Sequence, residues 1–284
     1  MRIPGTYALA ALALFATPAA AQSPALWSVS DADTTIYLFG GVHGFESAPT
    51  WLSGDVEAAY KSSDEVVLEV VVTDPAKARK LIERYGTSKR HLRASLPDAY
   101  ADRLEFVLNT AGLKKSALDH FQPWYANIAI STLALSNSAL RRDLGVDAVL
   151  QERARRDGKR LSALETADEQ LAIFGAIPAD AQMKQLGASL ADLGALKVNT
   201  EETTRCWRVG DLACVEAVLN REYSIPEVRD AMLIKRNQRW AAWVGERLKR
   251  PGTAFVAVGV GHLVGAGSLL DQMKARGLVV KRVG

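Results

Sequence analysis

Ala254-Phe255-Val256-Ala257-Val258 runs without a break into Gly259-Val260-Gly261-His262. A short apolar run that stops at glycines and a histidine reads as a buried strand delivering a polar side chain at its open end. Near the start of the chain, Thr35-Ile36-Tyr37-Leu38-Phe39 runs into Gly40-Gly41-Val42-His43 in the same way. The chain has only 4 histidines in 284 residues, so two in one local context stand out.

Two more strands can be read between these. Val66-Val67-Leu68 continues through Glu69 into Val70-Val71-Val72, a β-branched run of the kind a parallel sheet buries on both faces. Lys159 to Leu164 is the other, and it ends on Glu165. Ala25 to Ser30 pairs with the Thr35 strand as a hairpin turning at Asp31-Ala32-Asp33, and Leu278 to Val283 closes the chain as a last strand. Helices fill the intervals. Ser95 with Pro97 starts one, Pro123-Trp124 another, Gly145-Val146-Asp147 a third. Thr166 with Glu169 forms a capping box, and Pro226 opens a long helix that reaches Leu248. The pattern predicts an α/β fold: a mainly parallel central sheet flanked by helices, in one domain over residues 22–284, with a helical insertion over about 76–158.

Residues 1–21 read as a secretory signal peptide. Arg2 supplies the positive start, Ala8 to Phe15 the apolar centre, and Ala19-Ala20-Ala21 a small-residue cleavage site. The apolar centre is too short to span a bilayer, so no membrane span is expected after cleavage. The expected location is the periplasm or the exterior. Cys206 and Cys214 are the only cysteines, and export makes a disulfide between them the default. Net charge is +3 and unclustered, without aromatic interleaving, which argues against a nucleic-acid partner.

Four strands thus end on His43, Glu69, Glu165 and His262. Ligands of open α/β sheets bind beyond the carboxyl ends of the strands. Two imidazoles with one or two carboxylates make a site for a divalent metal with room for water. Glu69 interrupts an apolar run and needs a partner or a ligand if buried. Glu165 stands just before a helix cap, so whether Glu69 or Glu165 completes the site stays open. Gly40, Gly41, Gly259 and Gly261 let backbone and substrate approach closely, and the loops they form can take an anion or substrate group. Arg236 shares a helix stripe with Met232, Trp240, Val244 and Leu248. A cation there is either a structural pair or a guanidinium that steadies an oxyanion. No Gly-x-Ser-x-Gly elbow and no P-loop occur.

Leu38-Phe39-Gly40-Gly41-Val42-His43, Val67-Leu68-Glu69, Gly145-Val146-Asp147, Leu164-Glu165-Thr166 with Glu169-Gln170, Arg236-Asn237 and Val258-Gly259-Val260-Gly261-His262-Leu263-Val264-Gly265 follow one another in that order. The ordered set resembles the TraB/PrgY/GumN family, which includes the Tiki proteases. The resemblance implies a fold of the erythromycin-esterase and ChaN type and a divalent-metal hydrolase. It favours manganese or cobalt; zinc also suits the ligand set. It carries the metal-site role to His43, His262 and Glu69, and a catalytic role to Glu69 and Arg236. The family pattern has a threonine where this chain has Gly41, which removes a hydroxyl available for outer-shell support.

The expected function is a periplasmic metal-dependent hydrolase, of peptidase type, acting on a peptide or another small extracytoplasmic substrate. The alternatives are a non-catalytic binding protein, for haem or another ligand, and an envelope-polymer assembly protein on the same fold.

Overall fold

The computed structural model describes residues 23–48, 50–71, 74–136 and 139–283. The signal-peptide reading lies outside the described residues.

Six strands form one sheet: β1 (Leu26–Ser30), β2 (Thr34–Gly41), β3 (Glu65–Leu68), β4 (Arg160–Ala163), β5 (Gly252–Gly259) and β6 (Val280–Val283). Their order across the sheet is β4-β3-β5-β2-β1-β6. The first four of that order are parallel. β1 runs antiparallel to β2 on one side and to β6 on the other. The fold is α/β, with a mostly parallel mixed sheet flanked by helices, as the sequence predicts.

Strand alternation sorts the core onto two faces. Phe39, Val66, Leu68, Phe255 and Ala257 point to one face, against Tyr60, Leu150 and Trp207. Ile36, Leu38, Val67, Val256 and Val258 point to the other, against Trp240, Val244 and Met273. Both faces are buried and apolar, which is why these strands read as unbroken apolar runs.

The segments before and after β4 both contribute helices to one layer. Pro123–Ser136 packs on Ala179–Ala191 and Leu193–Arg208, and Pro75–Gly86 packs on Ala167–Ala176. This layer has its own apolar centre, with Leu104, Leu108, Ile130, Leu186 and Leu190 buried in it. Among the described residues no helix is long and apolar enough to cross a membrane.

Three local expectations change. Ser95 does not cap the helix that follows; that helix starts at Asp98 with Pro97 at the capping position. β3 ends at Leu68, so Val70 and Val71 lie beyond it, because the Glu69 side chain is drawn sideways onto the next strand. The long helix from Pro226 contains a π turn over Asp230–Ile234, where the Lys235 amide reaches back to the Asp230 carbonyl. Such wide turns are common near functional sites. The capping box of Thr166 and Glu169 is present as expected.

The helix Lys235–Leu248 lies along the sheet and is pinned at one end to β3 and at the other to the residue just past it. Near its start Arg236 meets Glu69, and near its end Arg247 Nε donates to Glu65 Oε2 at 3.1 Å. Cys206 and Cys214 are bonded, joining the helices Leu193–Arg208 and Leu212–Glu222. The residue after Cys206, Trp207, donates its indole N–H to the Gly40 carbonyl at 2.6 Å. The bridge therefore supports the strand end that carries His43.

Candidate functional site

The strand order explains the site. Read across the sheet, the parallel strands end on Glu165, Glu69, the Gly259–His262 turn, and His43. Glu69 is next to the His262 turn, and Glu165 is at the far end from His43. A cleft of ≈ 230 Å³ lies over these ends, with Gly41, His43, Glu69, Asp147, Gln170 and Gly259 in its lining.

His262 is buried, and its surroundings fix its tautomer. Its Nδ1 stands 2.7 Å from Asn237 Oδ1. Asn237 Nδ2 donates to the Gly267 carbonyl at 2.9 Å, so Oδ1 is the atom left to face the ring. His262 Nδ1 must therefore carry the proton, and Nε2 is a bare lone pair. That nitrogen faces Arg236 Nη1 at 3.2 Å and Glu69 Oε1 at 3.8 Å. Burial pushes the imidazole pKa down to about 3, against the pull of Glu69 and with the help of Arg236. His262 is neutral at pH 7.

Glu69 accepts the Gly259 amide on Oε1 at 2.6 Å and Arg236 Nη2 on Oε2 at 2.6 Å. Burial alone would raise its pKa. The fields of His262 and Arg236 and the Gly259 amide overcome this and hold it at about 2. At neutral pH, where His262 is uncharged, Arg236 and the amide do this work, and Glu69 is an anion.

Arg236 is buried, with its side chain 4% exposed. Its Nη2 serves both Glu69 and Glu165, its Nε donates to Glu165 Oε2 at 3.2 Å, and its Nη1 reaches the Met232 carbonyl and His262 Nε2. A guanidinium has five N–H donors, and all are engaged. The cation also lies over the Trp240 ring, 4.6 Å from its centre. Burial would lower its pKa, but Glu69 and Glu165 raise it, so it stays charged. Glu165 is sealed below Arg236, with its side chain 3% exposed, and takes a further bond from Gln170 Nε2 at 3.1 Å. Of the two carboxylates, Glu69 faces the cleft and Glu165 holds the arginine.

His43 stands at the cleft mouth, with its side chain 74% exposed. Its Nδ1 lies 3.4 Å from Asp147 Oδ1, and that bond raises its pKa against the effect of the surrounding protein. Asp147 is placed by the first turn of the helix Val146–Arg156. Gly145 allows this: a Cβ there would lie 2.8 Å from the His43 carbonyl. Gly41 has a steric reason as well. A Cβ on it would meet Val146 Cβ at 2.9 Å, so the valine fills the space a threonine would need.

Gly259 is where the groups converge. A Cβ at that position would lie 3.3 Å from Glu69 Oε1, 3.7 Å from His43 Nε2 and 3.8 Å from His262 Cδ2. The missing side chain leaves a cradle shared by all three. Gly261 instead packs on Leu219, and Gly40 on Val260 and Leu263.

Two imidazole nitrogens and a carboxylate suit a divalent ion, and each imidazole has its other nitrogen engaged, as metal-binding histidines do. Donor types and tautomers fit. Among the described residues, however, no three His, Cys, Asp or Glu side chains are gathered as a ready cage. Arg236 Nη1 also faces the His262 lone pair that an ion would take.

Asn237, Asp147 and Gln170 are absent from the sequence-based set of site residues. All three do sit inside the ordered motifs, Asn237 beside Arg236, Asp147 after Gly145-Val146 and Gln170 after Glu169, and that adjacency is the signal for them.

The TraB/PrgY/gumN family model matches residues 25–282 of this chain. The chain is 23% identical over 300 residues to a Danio rerio protein named Metalloprotease TIKI2, covering 86% of this chain and 58% of that relative. It is 22% identical over 272 residues to an uncharacterised protein of Treponema pallidum (strain Nichols), covering 89% of this chain and 81% of the relative. The chain thus spans less than two thirds of the zebrafish protein's length. No solved structure matches.

Proposed function

This chain belongs to the TraB/PrgY/gumN family, and from that premise and the site geometry we propose that it is a divalent-metal-dependent hydrolase that cleaves peptides outside the cytoplasm. The fixed tautomer of His262 carries the reading. A neutral imidazole whose Nδ1–H is held by Asn237, with its unprotonated Nε2 between Arg236 Nη1 and an anionic carboxylate, is arranged as a ligand. His262, Glu69 and His43 would hold the ion. When bound, manganese, cobalt or zinc supplies a Lewis acid that makes water a nucleophile at neutral pH.

The residues divide the work. Glu69, held at a pKa of about 2, is a poor proton acceptor and a good anionic ligand. Glu165 neutralises and orients Arg236. Arg236 keeps Glu69 ionised, and all its N–H groups are engaged while its Nη1 faces His262 Nε2. Occupying that nitrogen would release an Arg236 N–H for a developing oxyanion. The peptidase part draws on the name of the zebrafish relative. Location outside the cytoplasm draws on the signal-like residues 1–21 and the Cys206–Cys214 bridge.

Metal analysis of the purified protein tests the site, paired with a peptide-library cleavage assay. Wild type should bind an ion, and the double change His43→Ala with His262→Ala should lose it without unfolding. Unchanged stoichiometry in that variant overturns the site. A loaded protein that cleaves no library peptide overturns the peptidase reading.

A further inference from the structure

A second recess, of ≈ 50 Å³, lies in the helical layer, walled by Trp124, Phe174, Ile177, Val228 and Met232, with Asn127 also lining it. Trp124 and Phe174 stack with ring centres 5.1 Å apart and form an aromatic wall. Ile177 and Val228 are buried and aliphatic. The other buried amide here, Gln182, is bonded at both ends: its Oε1 accepts from the Trp124 amide and its Nε2 donates to the Ile177 carbonyl. Asn127 differs. Its Oδ1 is buried and takes no hydrogen bond from any described residue. A buried acceptor without a donor carries a desolvation cost that a ligand N–H would relieve.

Two connections tie the recess to the cleft. Gln170 lines the cleft and Phe174 the recess, one turn apart on one helix, about 6 Å. Met232 lines the recess, and its carbonyl accepts from Arg236 Nη1.

We infer that this recess is a substrate pocket for a small aliphatic side chain, of valine or leucine size, with Asn127 accepting an N–H of the same peptide. The inference rests on the peptidase reading and names its substrate preference. Size supports an aliphatic occupant. At ≈ 50 Å³ against the cleft's ≈ 230 Å³, the recess suits a branched tip better than a ring.

The full exported protein, loaded with manganese, is assayed on a positional peptide library with Gly, Val, Leu or Phe at each site in turn. One position should prefer Val or Leu over Gly by about tenfold or more, with Phe disfavoured. Val228→Phe should erase that preference, and Ile177→Ala should shift it towards Phe. Thermal midpoints check folding, and Ile177→Ala carries the test if Val228→Phe unfolds. In a second arm, N-acetyl-leucine amide is added to metal-free protein and followed by saturation-transfer NMR. The signal should appear with wild type and vanish with Val228→Phe. Cleavage without side-chain preference and without probe binding overturns the pocket and leaves the hydrolase standing. Probe binding that follows Val228→Phe, with no peptide cleaved, supports the pocket and overturns the hydrolase.

Discussion

Asn237 holds His262 by the Nδ1 edge at 2.7 Å, and the Gly267 carbonyl holds Asn237 in turn. Breaking this chain frees the ring to turn or change tautomer. Asn237→Ala should cost about 10- to 100-fold in metal affinity or activity, the usual size of an outer-shell loss. Asn237→Asp keeps an acceptor and should lose less. Metal titration with ¹⁵N NMR of the His262 ring would check both. An unchanged affinity in Asn237→Ala contradicts the tautomer argument.

Removing Arg236 leaves Glu69 and Glu165 close together without their cation. Arg236→Met should destabilise the fold by about 3–5 kcal/mol, because it strands buried charge. Arg236→Lys should rescue little, since an ammonium cannot span two carboxylates and a histidine as a fork does. Urea unfolding reads this directly. Combining Arg236→Met with Glu165→Gln should be less damaging than the separate effects summed.

The metal-free protein should lose stability in acid in two stages. His262 has a folded pKa of about 3 against 6.5, so its contribution is present above pH 6.5 and is lost as pH falls towards 3. Glu69, at about 2 against 4.5, loses its contribution between those values. His43 has the opposite sign, because its pKa is raised: its contribution is present below 6.5 and fades above, and exposure keeps it small. His262→Asn should flatten the stability curve between pH 6.5 and 4.5. A curve parallel to wild type there would show that His262 is not buried neutral.

Gly259→Ala should act on function more than on folding. Its methyl would enter the cradle 3.3 Å from Glu69 Oε1 and 3.7 Å from His43 Nε2, while the backbone, at φ −53°, accepts alanine. Metal binding and activity should fall by at least roughly tenfold, as for a misplaced reacting group. The thermal midpoint should move little.

Gly41→Thr should overpack against Val146, at about 1–3 kcal/mol. Adding Val146→Ala should recover much of that. Thermal unfolding of the two variants distinguishes steric conflict from loss of a special backbone shape.

Much of the fold could be read because its signals are local. Strands buried on both faces show as apolar runs, and Thr166 with Glu169 marks a helix start within four residues. His43 and His262 announced themselves by repeating one device, and Glu69 by being a charge inside an apolar run. Strand order is non-local, and it decides which carboxylate faces the cleft. With β3 next to β5, Glu69 reaches the Gly259 amide, and Glu165, one strand further out, reaches Arg236 and Gln170 instead. Asn237 looks like any polar residue on a helix until its two partners are seen. The π turn has no side-chain signature, and the Trp124 recess joins helices from both sides of β4.

The two arginines that pin the helix Lys235–Leu248 to β3 and the residue just past it act as a ruler. Arg236 and Arg247 are about three turns apart, roughly 16 Å, and Glu65 on β3 and Glu69 just past its end are about 13 Å apart at strand spacing. Both lengths count in whole residues, so neither can change alone without stranding a buried charge. A single insertion between Glu65 and Glu69, or between Arg236 and Arg247, should be purged, and that fixed interval offers a way to recognise remote kin when the residues around it have drifted.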